Sequence, residues 1–160
     1  MGRLATTVQE TLCERLRTQL DGFDWETERH VAATPVDVAG LGERATVVVE
    51  LEWRRADPAD NTAKLFRHLA AGTLDAETVV VVQVFTGKYD LASGGVSSKR
   101  ENAEFVGERA AASEPGVEYE PVTLALDPPK RGGELPTDWE TAVDAVAETV
   151  VSRVESAVEG

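Results

Sequence analysis

The chain is poor in sulfur, in lysine and in long apolar runs. Its single cysteine, Cys13, has no partner for an internal disulfide, which excludes an oxidised, disulfide-stapled scaffold. One Cys with two His, His30 and His68, is too small a ligand set for a structural zinc site. The longest uninterrupted apolar run is Val79 to Val82, far below the roughly 20 residues that span a bilayer. The N-terminal stretch MGRLATTVQETLCERL has no continuous apolar segment of signal-peptide length. The expectation is therefore a soluble cytoplasmic protein with no membrane partner. No glycine-rich loop has phosphate-binding spacing, and Ser93-Gly94-Gly95 reads as a plain turn. Cys13 lies beside the apolar stripe of a helix, which argues against a nucleophilic role.

What the chain has in excess is acid. Asp and Glu number 29 against 16 Lys and Arg, for a net charge of -13 over 160 residues. Only Lys64, Lys88, Lys99 and Lys130 are lysines; the other basic residues are arginines. An acidic, lysine-poor surface over an Ala- and Val-rich interior reads as adaptation to salt. That changes what charge implies about partners. At low ionic strength this excess would repel nucleic acid. In molar salt the screening length is about 3 Å, so only local charge matters. Overall acidity then neither excludes a nucleic-acid partner nor argues for one.

The length suits one domain, residues 1–160. Val8, Leu12, Leu16 and Leu20 recur every four residues and predict a helix over 5–20, ended by Asp21-Gly22. Strands are predicted over 23–33, 35–38 and 45–54, with a turn at Gly40-Leu41-Gly42-Glu43. Asp60 or Asn61 is the expected N-cap of a helix running to about Ala71, with Leu65, Phe66 and Leu69 on its buried side. Thr78 to Phe85 is Val-rich, as in a strand buried on both faces. Ser98 to Glu101 has the capping-box pattern and opens a helix to about Ala112. Glu118 to Leu126 alternates as a strand. Thr137 to Glu140 is a second capping box, opening a final helix with Val143, Val146, Val150, Val154 and Ala157 inward. Short turns make the first three strands an antiparallel meander, and helical connections allow the later ones to run parallel. The predicted class is α/β, a mixed sheet with flanking helices.

The stretch VVVELEWRRADPADNTAKLFRHL, residues 47 to 69, carries the chemistry. Side chains alternate along a strand. Val47, Val49, Leu51 and Trp53 share one apolar face, and Trp53 reads as core. Glu50 and Glu52 share the other, about 7 Å apart at the strand rise. Paired carboxylates suit a hard divalent cation. Asp37 is the candidate third ligand, because an Asp inside the short apolar strand Pro35-Val36-Asp37-Val38 runs against strand propensity. Asp37 faces Glu50 if the intervening turn centres between Glu43 and Arg44. The glycines at 40 and 42 suggest a centre nearer Leu41, which would offset the two.

An acidic residue on one strand followed by acid-x-acid on the next, here Asp37 and Glu50-Leu51-Glu52-Trp53-Arg54-Arg55-Ala56-Asp57-Pro58, resembles the PD-(D/E)XK nuclease superfamily. The match is to the branch in which Glu stands where the final Lys is usual. The resemblance covers roughly residues 5–85 and implies a restriction-endonuclease-like αβββαβ core. It further implies metal-dependent hydrolysis of nucleic-acid phosphodiesters and, as in many restriction enzymes, a homodimer. Asp37 and Glu50 would hold Mg²⁺ or Mn²⁺. Glu52 would serve as a metal ligand or accept a proton from the attacking water. The departure from Lys removes a cation, which Lys64 would supply from the first turn of the next helix. Glu10 or Glu14 would add an outer acidic ligand from the first helix.

Plainer readings stand beside these. Lys64, Asn61, Arg67 and His68 also form an ordinary solvated helix side, His30 reads as a strand surface residue, and Arg54-Arg55 as partners of nearby acids. The alternative function is a non-catalytic α/β binding or assembly module that keeps the nuclease fold. In that case the three carboxylates diverge into solvent.

Overall fold

A computed structural model describes residues 2–31, 33–72 and 76–159. Its element order is α1 (Arg3–Gln19), β1 (Asp24–Val31), β2 (Thr34–Leu41), β3 (Ala45–Glu52), α2 (Pro58–Ala71), β4 (Thr78–Phe85), α3 (Ser98–Ser113), β5 (Val117–Thr123) and α4 (Trp139–Glu159). The five strands form one sheet in sequence order. β2 runs antiparallel to both β1 and β3, whereas β4 runs parallel to β3 and β5 parallel to β4. The α/β mixed sheet with flanking helices is thus the architecture of the protein, and its first six major elements follow the order α-β-β-β-α-β.

Helices cover both faces. The apolar stripes of α1 (Val8, Leu12, Leu16) and α4 (Val143, Val146, Val150, Val154) pack on Val47, Val49 and Leu51 of β3 and Val80, Val82 and Val84 of β4. Leu65, Phe66 and Leu69 of α2 and Ala111 of α3 pack on the other face against Val48, Val79, Val81 and Tyr119. Every residue of β3 is buried, because two helical layers leave neither sheet face wet. The even face of β3 is therefore interior along its whole length, Glu50 and Glu52 included. That is the first departure from a half-solvated strand.

Several boundaries moved, each for a local reason. β2 extends to Leu41, well past Val38. Gly40 belongs to the strand because a Cβ there would meet the Trp25 ring at 2.7 Å. It is a place where a side chain has no room, rather than a turn. The reversal lies at Gly42–Ala45, closed by the Gly42 N–H to the Ala45 carbonyl at 2.9 Å. The N-cap of α2 is Asp57, not Asp60 or Asn61. Its carboxylate accepts the Asp60 N–H at 3.1 Å, with Pro58 in the first helical turn, where a missing N–H is harmless. The box at Ser98 is not formed: Ser98 lies inside α3, and Ser97 is its N-cap without a side-chain bond. β5 ends at Thr123, although Leu124 and Leu126 beyond it remain in the core. As the sheet edge, β5 accommodates Pro121.

Candidate active site

The site is made where the β2–β3 ladder stops. Backbone pairing runs from Leu41 opposite Thr46 to Val38 opposite Val49. One step further, Asp37 lies across from Glu50, so the turn is centred between Glu43 and Arg44, the first of the two alignments the sequence allowed. Here side chains replace the ladder bonds. The Glu50 carboxylate accepts the Asp37 N–H at 3.2 Å, and the Asp37 carboxylate accepts the Leu51 N–H at 2.7 Å. The neighbouring β1–β2 ladder also skips its pair at this level, where Glu28 adopts φ 51°. A positive φ at a non-glycine residue is uncommon, and this one sits on the rim of the cleft.

Glu52, two residues on, turns into the protein rather than towards the Asp37–Glu50 pair. It is 0% exposed. Oε1 accepts from Asn61 Nδ2 at 2.6 Å and from Gln83 Nε2 at 3.1 Å. Oε2 stands 3.2 Å from Arg55 Nε, an ion pair too poorly aligned for a hydrogen bond, so this buried oxygen has no donor. Gln83 is the hub behind it. Its amide donates to Thr62 at 2.8 Å and its carbonyl accepts the Tyr119 hydroxyl at 2.6 Å. Sequence reasoning missed Gln83, Thr62 and Tyr119. Gln83 had a visible signal, being the one polar residue after Thr78 in the Val-rich strand Thr78–Phe85.

Burial is the main influence on all three acids. It raises the Asp37 carboxyl, against the hydrogen bonds from Glu50 and Leu51 that pull it down. It raises Glu50 well above the usual carboxylate range, and the charge of Asp37 pushes further in the same direction. It raises Glu52, while donation from Asn61 and Gln83 opposes. Two facing carboxyls, Glu50 buried and Asp37 half-buried, whose ionised forms are both disfavoured invite a shared proton or a cation between them.

Asp37 and Glu50 open onto a cleft of about 450 Å³, also lined by Glu28, His30, Arg55, Asn61 and Lys64. Lys64 therefore stands on the same wall system as the carboxylates, from the second turn of α2. His30 is exposed, as expected of a strand surface residue, and sits on the cleft lining. Arg67 and His68 do not line it. Neither do Glu10 and Glu14: α1 packs on the opposite face of β3, so the first helix supplies no outer ligand here. Glu14 instead pairs with Arg17. Of the two arginines, Arg55 pairs with an acid as expected, but Arg54 donates to the carbonyl of Pro129.

The donors fit a hard cation in a restricted way. Among the described residues, no three His, Cys, Asp or Glu side chains gather into a metal-holding set. Asp37 and Glu50 are together; Glu52 is held apart by Asn61 and Gln83. Mg²⁺ commonly takes only one or two carboxylates and completes its octahedron with water and phosphate. The all-oxygen pair of Asp37 and Glu50 suits that role. Among the described residues, no helix is long and apolar enough to cross a membrane. In comparisons with known proteins, no family model matches the chain and no curated protein matches it.

Proposed function

We propose that the chain hydrolyses phosphodiester bonds of nucleic acid with the help of Mg²⁺ or Mn²⁺, on a fold of the PD-(D/E)XK kind. The observation that carries this reading is the mutually facing pair of half-buried Asp37 and buried Glu50 on the lining of a cleft. Carboxylates serving only solubility would point outward. These two turn inward against each other, and burial of Glu50 beside the charge of Asp37 disfavours its ionised form, a cost that a bound cation would offset.

In this reading Asp37 and Glu50 hold the cation and the scissile phosphate lies in the cleft. A bound divalent ion supplies an activated water and offsets charge developing on the phosphate. Lys64 faces that phosphate from α2 and takes the place of the absent family lysine. Glu52, offered by the resemblance as acceptor of the water proton, is fully buried and does not line the cleft; from behind the wall it would position Asn61 and Arg55, which do line it. Asn61 and Gln83 fix its orientation.

The test is divalent-dependent cleavage of single- and double-stranded DNA and RNA at fixed high KCl. Wild type should cleave at least one of these with Mn²⁺ and not with EDTA. Glu50→Gln and Asp37→Asn should each lower the rate by about 100-fold or more, the scale of one lost electrostatic contact to the reacting group. Absence of cleavage, together with no Mn²⁺ effect on melting, would leave the non-catalytic binding module as the function.

A further inference from the structure

A second cleft, of about 510 Å³, opens on the α1 side of the sheet, opposite the face that carries the first. Among the described residues its cations are Arg3, Arg54, Arg55, Lys130 and Arg131, and no acid lines it. This is the reverse of the chain at large, where acids outnumber bases nearly two to one. Arg55 borders both clefts, which lie on opposite faces of the sheet and approach each other at the C-terminal end of β3. The floor is apolar, from Leu4, Leu51, Trp53 and Pro129. Trp53 is half-buried: it packs against the core and also lines the cleft.

The wall is built rather than loose. The carbonyl of Trp53 accepts from Thr86 Oγ1 at 2.6 Å, and that of Arg55 from the Tyr89 hydroxyl at 2.7 Å. Arg54 donates to the Pro129 carbonyl, tying the 129–133 segment to the end of β3. Four of the five cations are arginines, which grip phosphate with a planar fork and stack on flat rings. An aromatic floor under a rim of arginines is the combination that binds unpaired nucleotides, whose bases have a free face. The volume lies within the roughly 300–1,000 Å³ of small-ligand pockets and is too small for a duplex.

We propose that this cleft takes one unpaired nucleotide of the substrate strand, its base against Trp53 and its phosphates on Arg3, Arg54, Lys130 and Arg131. The strand then passes Arg55 to reach Asp37 and Glu50, which makes single-stranded or locally unpaired nucleic acid the substrate class. The choice of nucleic acid over other polyanions rests on the phosphodiester reading of the neighbouring carboxylates.

The experiment measures binding in EDTA, where no cleavage occurs, using a fluorescein-labelled thymidine 12-mer and a duplex of the same length. The single strand should bind at least 10-fold tighter than the duplex. Lys130→Glu with Arg131→Glu, both exposed, should weaken it at least 10-fold with unchanged melting temperature and lower the salt slope by about two. Trp53→Phe should remove the quenching of tryptophan fluorescence by the 12-mer. Equal affinity for duplex, insensitivity to the charge reversals, or equal competition by inorganic tripolyphosphate would each overturn the assignment. If the 12-mer binds as stated but no cleavage is found, the hydrolytic reading falls and the nucleotide cleft stands. If Glu50-dependent cleavage is found without 12-mer binding here, only the cleft assignment falls.

Discussion

Replacing Glu50 by Gln should make the metal-free protein more stable, the reverse of what most buried substitutions do. Glu50 is 7% exposed and faces Asp37, which burial raises as well. Glutamine keeps an oxygen to accept the Asp37 N–H that Glu50 now accepts at 3.2 Å, and its amide can donate to the Asp37 carboxylate. Two unit charges about 4 Å apart repel by about 4 kcal/mol at an effective dielectric near 20. Partial protonation relieves some of this, so a gain of about 1–3 kcal/mol at pH 8 is expected, or roughly 2–12 °C in Tm for a chain of this size.

The sign of the pH dependence follows from linkage. The folded pKa of Glu50 lies above its unfolded value near 4.5. Between the two, the folded state holds a proton that the unfolded state has released, so native stability falls as pH rises through that window. The advantage of Glu50→Gln should therefore grow from pH 5 to pH 8. Mn²⁺ should stabilise wild type by mass action and have little effect on the variant. Urea and thermal melts at fixed KCl, at both pH values and with and without Mn²⁺, supply the measurement. A variant less stable than wild type by more than about 1 kcal/mol at both pH values, with an undiminished Mn²⁺ response, would refute the reasoning.

Gln83→Leu should cost about 2–4 kcal/mol, because it strips a donor from buried Glu52 and leaves the Tyr119 hydroxyl without its acceptor. Urea midpoints would show it, and a loss below about 1 kcal/mol would mean that water replaces the amide. Gly40→Ala should destabilise by about 1–3 kcal/mol through overlap with the Trp25 ring. Near-ultraviolet circular dichroism should report the disturbed tryptophan, and an unchanged spectrum with unchanged Tm would contradict that packing.

Much of the fold is written in local pattern. Four-residue spacing marked α1, the Val-rich run marked β4 to the residue, and short turns against helical connections separated the antiparallel half of the sheet from the parallel half. Local pattern also placed Glu50 and Glu52 on one face of β3, since alternation is a property of the strand itself. It erred where a residue type has two uses. Glycine at 40 signals a turn, yet here it makes room for an indole. Asp60 and Asn61 are both good caps, yet Asp57 takes that place and Asn61 is left to hold Glu52.

Tertiary structure alone decided the rest. Register depends on where a hairpin closes; here the Gly42 N–H to Ala45 carbonyl bond closes it, and with that closure Asp37 meets Glu50. Burial of the acidic face needs α2 to lie over it, so sequence parity could not tell a solvated strand end from an interior carboxylate. Gln83, Thr62 and Tyr119 lie on three separate elements, and no spacing rule links them. The sequence by itself determined which residues could carry charge and on which face. Their depth, partners and protonation were decided by how the layers close, because desolvation and pairing are properties of the assembled neighbourhood.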